Sequence, residues 1–348
     1  MYRPRTGSLA LKSSHCLVRS PRFHPVLLQA RFSHDMAKES GETSTSHAER
    51  TAAQPRDSAL HNVTLIRVNA VNENIRLFRL GVKEGSRIEF LPGQWLDTYV
   101  PGVPKAGGFT LTSPPSKAIL PSSAYLELAV KKSPMNPAAA WLWDQPVNEV
   151  DDKGKDDGAV TQREKKPEIQ VRVGGSFVWP PPEGDVDLAS LRRIVFIAGG
   201  VGVNPLMSIV SHLAEAGSCP YDVQFMYSTK APSEGLDSEK ILFMERLASI
   251  FGREKVRGQM RLFLTGVGPL SSESDGSILH CNEIDVPFKR RRMGLEDVAE
   301  ALGPEEERGD ALVYVCEIPS MTDELVESLT SKSGLSLRPE RVLCERWW

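Results

Sequence analysis

The run Gly199-Gly200-Val201-Gly202-Val203-Asn204-Pro205 places three glycines within four positions, directly after the apolar stretch Ile194–Ala198. Glycine lets a backbone turn tightly and approach a charged group with no Cβ in between. Leu206, Ile209, Val210 and Leu213 then fall on one face of a helix predicted over Pro205–Ala216. A helix N-terminus offers unpaired N–H groups and the positive end of its dipole to an anion. Pro205 suits the first helical position, where no N–H is needed. A strand, a glycine loop and a helix in this order form a cradle for a diphosphate. Gly199, Gly200, Val201, Gly202, Val203, Asn204 and Pro205 are therefore assigned to binding a nicotinamide dinucleotide, NAD(P)H, which points to a reductase.

Little else in the chain offers chemistry of its own. Five of the seven histidines fall within the first 61 residues, leaving His212 and His280 in the body. That argues against histidine triads and metal-assisted hydrolysis. The five cysteines, Cys16, Cys219, Cys281, Cys316 and Cys344, form no C-x-x-C pair and no zinc-ligand spacing, so no metal site is expected. A cofactor must then carry the reaction. The net charge of −3 gives no reason to expect nucleic acid as a partner. No apolar run reaches the roughly 18 residues a bilayer span requires, so a soluble protein without an integral membrane segment is expected.

Two kinds of element must position the loop. Residues 60–180 carry short period-2 runs punctuated by Gly and Pro, the pattern of an antiparallel barrel. Strands are predicted at Leu60–Val68, Asn74–Val82, Gln94–Val100, Gly108–Thr112, Tyr125–Lys131 and Glu168–Val173, and a helix at Asn136–Trp143. A charged stretch at 144–167 reads as a loop insertion. After Leu191, strands alternate with amphipathic helices, which implies a parallel sheet. The strands are Arg193–Ala198, Asp222–Tyr227, Gln259–Leu264, Ala311–Cys316 and Arg341–Trp348. The helices after the first are Glu239–Phe251, Leu295–Leu302 and one capped by Ser320. The second strand ends in Tyr227-Ser228-Thr229-Lys230, without the carboxylate that holds the ribose in simple dehydrogenases. Asp222 opens that strand, on the wrong edge of the sheet.

Ahead of both halves, residues 1–33 hold Arg3, Arg5, Lys12, Arg19, Arg22 and Arg31 with no acidic residue. An Arg-rich, Ser-rich, acid-free leader reads as a mitochondrial transit peptide, with the matrix as destination. Residues 34–58 read as a disordered linker, 59–185 as the barrel domain and 190–348 as the nucleotide domain.

Several segments together resemble the ferredoxin–NADP reductase superfamily, and within it the oxidoreductase NAD-binding domain-containing protein 1 group. They are Pro92-Gly93-Gln94-Trp95, Gly107-Gly108-Phe109-Thr110-Leu111-Thr112-Ser113, Val171 to Phe177, the glycine loop, Cys316 to Asp323, and Glu345-Arg346-Trp347-Trp348. The resemblance implies β + α/β architecture: an antiparallel six-stranded flavin-type barrel followed by a five-stranded parallel Rossmann-like domain. It implies hydride transfer between nicotinamide and FAD, with a further electron acceptor unknown. By the same resemblance Phe109 stacks on the flavin ring and Thr110 approaches its N5. Cys316 lies by the nicotinamide, Trp348 covers the flavin, and Gly175 and Ser176 form a turn close to it. Tyr227, Ser228 and Lys230 reach the adenosine ribose. Read as residues alone, Phe109 is equally a core aromatic, Cys316 a small buried strand residue and Lys230 a surface lysine.

The chain departs from the family at three places. Gly107 stands where the family's arginine pairs with the flavin phosphate, and Asn136-Pro137-Ala138-Ala139-Ala140 lacks the hydroxyl of the second phosphate motif. Lys131 and Lys132, or the helix N-terminus, are the remaining candidates to hold that diphosphate. Glu317 follows Cys316 where the family has glycine. These departures leave a second reading open: an NAD(P)-binding protein that has lost flavin and catalysis and serves sensing or assembly.

Overall fold

The computed structural model describes residues 46–148, 166–182, 186–217, 219–233, 235–266 and 277–346. The transit-peptide reading of 1–33, most of the charged insertion and Trp348 lie outside the described residues.

The first half is the expected barrel. Its strands are β1 (His61–Asn72), β2 (Ile75–Val82), β3 (Trp95–Tyr99), β4 (Gly107–Thr110), β5 (Tyr125–Lys131) and β6 (Glu168–Gly174). They form one antiparallel sheet in the order β4-β3-β6-β1-β2-β5. A bridge between Leu111 and Leu128 joins the continuation of β4 to β5 and closes the sheet on itself. Alternation buries Val63, Leu65, Phe78, Leu80, Leu96, Leu126, Leu128, Val171 and Val173 in a single core. Ahead of the barrel is α1 (His47–Arg50), and after β5 comes α2 (Pro137–Trp143). Asn136 caps α2 by accepting the Ala139 N–H at 3.2 Å, and the helix presses Ala138, Ala139 and Leu142 into the barrel core.

The second half comprises β7 (Arg193–Gly199), α3 (Val203–Glu215), β8 (Asp222–Lys230), α4 (Met244–Gly252), β9 (Gly258–Thr265), β10 (Ser277–Cys281), β11 (Ile284–Lys289), α5 (Leu295–Leu302), β12 (Ala311–Glu317), α6 (Pro319–Thr330) and β13 (Val342–Arg346). The sheet order is β10-β11-β9-β8-β7-β12-β13. The five strands β9-β8-β7-β12-β13 run parallel, as predicted. The hairpin β10–β11 extends the sheet to seven strands, with β11 parallel to β9. Pro287 inside β11 disguises it, because proline in a run argues against a strand. Where one helix is predicted over Glu239–Phe251, a 3₁₀ turn at Ser238–Lys240 and α4 are separated by Phe243 at φ +61°. Ile241, Leu242 and Phe243 are consecutive and all buried. One helix face cannot bury three successive residues, so the chain kinks to do it.

α3 holds the two halves together. Leu206, Met207, Ile209, Val210 and Leu213 are buried on the sheet, each side chain stabilising the fold by about 1.5–3 kcal/mol. Its polar residues face the barrel: Ser208 Oγ donates to the Ser113 carbonyl at 2.8 Å, and Asn204 Nδ2 to the Ala129 carbonyl at 3.0 Å. Beside it, Glu127 of β5 pairs with Arg246 of α4 at 2.5 and 2.8 Å. Burial alone pushes the Glu127 carboxyl up, but Arg246 and Arg79 bring it below the ordinary glutamate value.

From Ser46 on, the stretch read as linker is packed against the barrel. His47 Nε2 lies 3.0 Å from Asp97 Oδ1, and its ring meets Trp95 edge-on at 4.7 Å. Arg56 and Arg172 both donate to Asp97 Oδ2, at 3.0 and 2.7–2.9 Å. Burial pushes the Asp97 carboxyl up, yet hydrogen bonds from His47, Arg172 and Arg56 hold it down at about 2. A polar segment with little apolar content is thus anchored at a buried carboxylate as well as along β6, contacts that composition does not reveal.

Candidate functional site

Strands β8 and β12 lie on either side of β7, so the connections from β7 to β8 and from β12 to β13 leave in opposite directions at this edge. Such a switch point opens a crevice at the carboxyl ends of the strands. A cleft of about 760 Å³ occupies that place. Gly199, Gly200 and Val201 form its floor, Ser228, Thr229, Lys230 and Thr265 one side, and Glu317, Ile318 and Met321 the other. The barrel supplies a wall from the β1–β2 turn, Asn72 to Ile75, and from Lys131 at the end of β5. Asn72 Nδ2 donates to the Lys240 carbonyl at 2.9 Å and fixes that wall to the nucleotide domain. Among the described residues, Lys131, Lys230, Lys240 and Arg292 line the cleft against two acidic residues, Glu73 and Glu317. The balance suits a dianionic diphosphate.

Each glycine of the loop answers a different requirement. Gly200 has φ +52° and open space around it, so its conformation is what excludes other residues. A Cβ on Gly199 would lie 2.8 Å from Glu317 Cγ. A Cβ on Gly202 would overlap the Cys316 carbonyl oxygen. The loop takes a 3₁₀ turn over Gly200–Gly202, and α3 begins at Val203, two residues before the predicted start. Pro205 still lies in the first turn, where an N–H has no intrahelical partner.

Of the seven loop residues, Gly199, Gly200 and Val201 line the cleft, while Val203, Asn204 and Pro205 are buried beneath it. Ser228 and Lys230 line it too. Tyr227 does not: it is 1% exposed in the sheet core, and burial drives its hydroxyl well above the usual value. Cys316 is fully buried behind Gly202. Lys131, a candidate for the flavin diphosphate in the sequence, lines the glycine-loop cleft instead. Arg292 and Lys240 carry no motif, and only the fold brings them here.

The residues assigned to flavin are placed otherwise. Phe109 is paired with Leu96, itself paired with Val173, so the three share the face that fills the barrel core. Thr110 is 3% exposed. Between β4 and the start of α2, where the flavin diphosphate is expected, a Cβ on Gly107 would already lie 2.7 Å from Ala138 Cβ and 2.7 Å from the Phe109 ring. The turn at Gly175 and Ser176 is engaged by the N-terminal segment. Gly175 N–H donates to the Pro55 carbonyl at 2.9 Å and Ser176 Oγ to Gln54 Oε1 at 2.7 Å. These residues do not fit a flavin as the resemblance implies: α2 leaves no room for a side chain at Gly107, the aromatic faces inward, and the turn is already bonded.

Two carboxyls at the strand ends stand out. Burial pushes both Glu317 and Glu345 up to about 7, with Arg292 drawing Glu317 partly back. A carboxyl raised on folding contributes stability that is full below its unfolded value and is lost as pH rises to its folded one. The loss for Glu317 falls between about pH 4.5 and 7 and is on the order of 3 kcal/mol. Asp97, Glu127 and Asp297 have lowered values and titrate below that window. The melting temperature is therefore expected to fall between pH 5 and 7.5, and Glu317→Gln to flatten the fall. A wild-type Tm that rises over this interval contradicts the assignment.

No family model matches the chain. It is 28% identical over 357 residues to the Xenopus laevis protein named oxidoreductase NAD-binding domain-containing protein 1, covering 100% of this chain and 96% of that one. It is 25% identical over 268 residues to the reductase component of propane 2-monooxygenase from Rhodococcus jostii, covering 76% of this chain and 58% of that protein. Among solved structures, the flavohem-like FAD/NAD-binding domain of the Vibrio cholerae nitric oxide dioxygenase superposes with a TM-score of 0.54 at 14% identity, over 82% of this chain and 98% of that one. The expected fold, a barrel followed by a Rossmann-like domain, is borne out.

Proposed function

We propose that this chain, a full-length homologue of the oxidoreductase NAD-binding domain-containing protein 1 group with the fold of ferredoxin–NADP reductases, is an NAD(P)H oxidoreductase whose dinucleotide lies in the interdomain cleft. The observation that carries the reading is the coincidence of the glycine loop, the switch point and a basic-lined cleft at one sheet edge. The diphosphate rests over Gly199–Val201, with its charge met by the start of α3 and by the surrounding lysines. Lys131 and the Asn72–Ile75 turn exclude water from the barrel side. In the family a flavin accepts the hydride. The barrel residues here do not fit that group.

The packing of α2 on Gly107 favours a second reading, a dinucleotide-binding protein that has lost flavin and turnover. Purified full-length protein separates the two when NADH binding, visible absorption and NADH oxidation with ferricyanide are measured together. Flavin bands near roughly 380 and 450 nm with turnover restore a flavin step. Turnover by a colourless protein supports an oxidoreductase that passes hydride without flavin. Binding without colour or turnover leaves the second reading, and the absence of NADH and NADPH binding removes both.

A further inference from the structure

Glu317 is 4% exposed, yet it lines the main cleft and also a smaller cavity of about 190 Å³ that continues beneath it. Its Oε1 is buried and has no hydrogen-bond partner among the described residues. A buried carboxyl without a partner is costly, and most buried polar groups avoid that state. The group is also positioned rather than loose. Its Cγ lies against Gly199, where a Cβ would approach to 2.8 Å, and the backbone N–H of Glu317 is held by Thr322 Oγ1 at 3.2 Å.

The opposite side of the cleft shows a matching deficit. Strand β8 ends in Ser228, Thr229 and Lys230 and brings no carboxylate to a ribose. Ser228 pairs with Gly199 across the sheet, and Cys316, next to Glu317, pairs with Ala198. The two strand ends therefore flank the same glycine. Ser228 and Glu317 together line both cavities.

We propose that Glu317 supplies, from β12, the ribose-holding carboxyl that β8 lacks, accepting a pair of sugar hydroxyls of the dinucleotide. The inference rests on the reading that the cleft holds the dinucleotide. A carboxylate accepts two vicinal hydroxyls at once and satisfies its own stranded oxygen by doing so. Burial raises the Glu317 carboxyl to about 7, the behaviour of a group waiting for donors that a ligand brings. If the sugar is the adenosine ribose, a 2′-phosphate meets this carboxylate instead of a hydroxyl, and NADH is preferred over NADPH.

The test measures dissociation constants of NADH, NADPH, ADP and NMN with full-length wild type, Glu317→Gln and Glu317→Ala, each checked for a cooperative melt. Glu317→Ala is expected to weaken NADH by about tenfold and Glu317→Gln by less. A parallel loss of ADP, with NADPH unweakened or tightened, assigns the adenosine ribose; a parallel loss of NMN assigns the nicotinamide ribose. Both folded variants binding NADH as tightly as wild type overturn the proposal while leaving the cleft reading intact. Failure of the wild type to bind NADH and NADPH removes the cleft reading itself. If Glu317→Ala does not fold, the isosteric Glu317→Gln decides: unchanged NADH and NADPH affinities in it overturn the proposal.

Discussion

Replacing Gly202 by Ala is expected to weaken NADH binding by more than about tenfold and to lower the melting temperature by about 5 °C or more. The added Cβ has nowhere to go. It would overlap the Cys316 carbonyl oxygen, with Cys316 Sγ 3.3 Å away, and backbone on both sides must shift to admit it. β12 cannot yield readily, because it is paired on both edges, with β7 and with β13. The loop and the start of α3 move instead, and the diphosphate seat moves with them. Gly200→Ala is the informative companion. There the space is open and only the φ of +52° resists, a cost of about 1–2 kcal/mol, so its effect on stability is smaller. Titration of NADH fluorescence and a thermal melt check both. Gly202→Ala with wild-type affinity and Tm contradicts the packing described.

Asp97→Ala is expected to have the largest effect on stability, on the order of 3–5 kcal/mol. The carboxylate is 1% exposed, lies 3.0 Å from His47 Nε2 and takes ion pairs from Arg56 and Arg172. Its removal leaves His47, Arg56 and Arg172 without their shared partner, the first two packed on Trp95. The N-terminal segment should loosen, since His47 and Arg56 lose the carboxylate that holds their side chains to β3, leaving the backbone contacts of Pro55 and Arg56 with Gly174 and Gly175. Trypsin is expected to cut at Arg50 and Arg56 much faster in the variant, and Tm to drop by on the order of 10 °C. NADH binding should persist, because none of these residues lines the cleft. Slow tryptic cleavage and an unchanged Tm contradict the assignment.

Much of the fold is written in local pattern. Tyr125–Lys131 and Leu295–Leu302 are found at their predicted bounds, because period 2 and period 3.6 are unmixed there. The glycine loop is legible for the same reason: its residue types and its neighbours agree. What pattern cannot show is which face a residue takes in a short strand. Phe109 and Thr110 are adjacent and point to opposite faces, so a one-residue difference in pairing separates a flavin-facing aromatic from a core one. Nor does composition reveal that a polar stretch such as Ser46–Asp57 will be captured by a distant carboxylate and the end of β6. Lys240 and Arg292 reach the cleft through long-range topology, and no spacing in the chain anticipates their meeting with Lys131.

The anchoring of α3 bears on how a ligand arrives. The helix that begins the proposed diphosphate seat is tied through Asn204 and Ser208 to barrel backbone, and Asn72 ties the barrel tip to Lys240. Both walls of the crevice are thus fastened to each other at several points. Admission then requires no opening of one half against the other, and capture becomes a matter of encounter. With Lys131, Lys230, Lys240 and Arg292 at the mouth, the rate of encounter with an anion is set by long-range attraction, which added salt screens within about 10 Å.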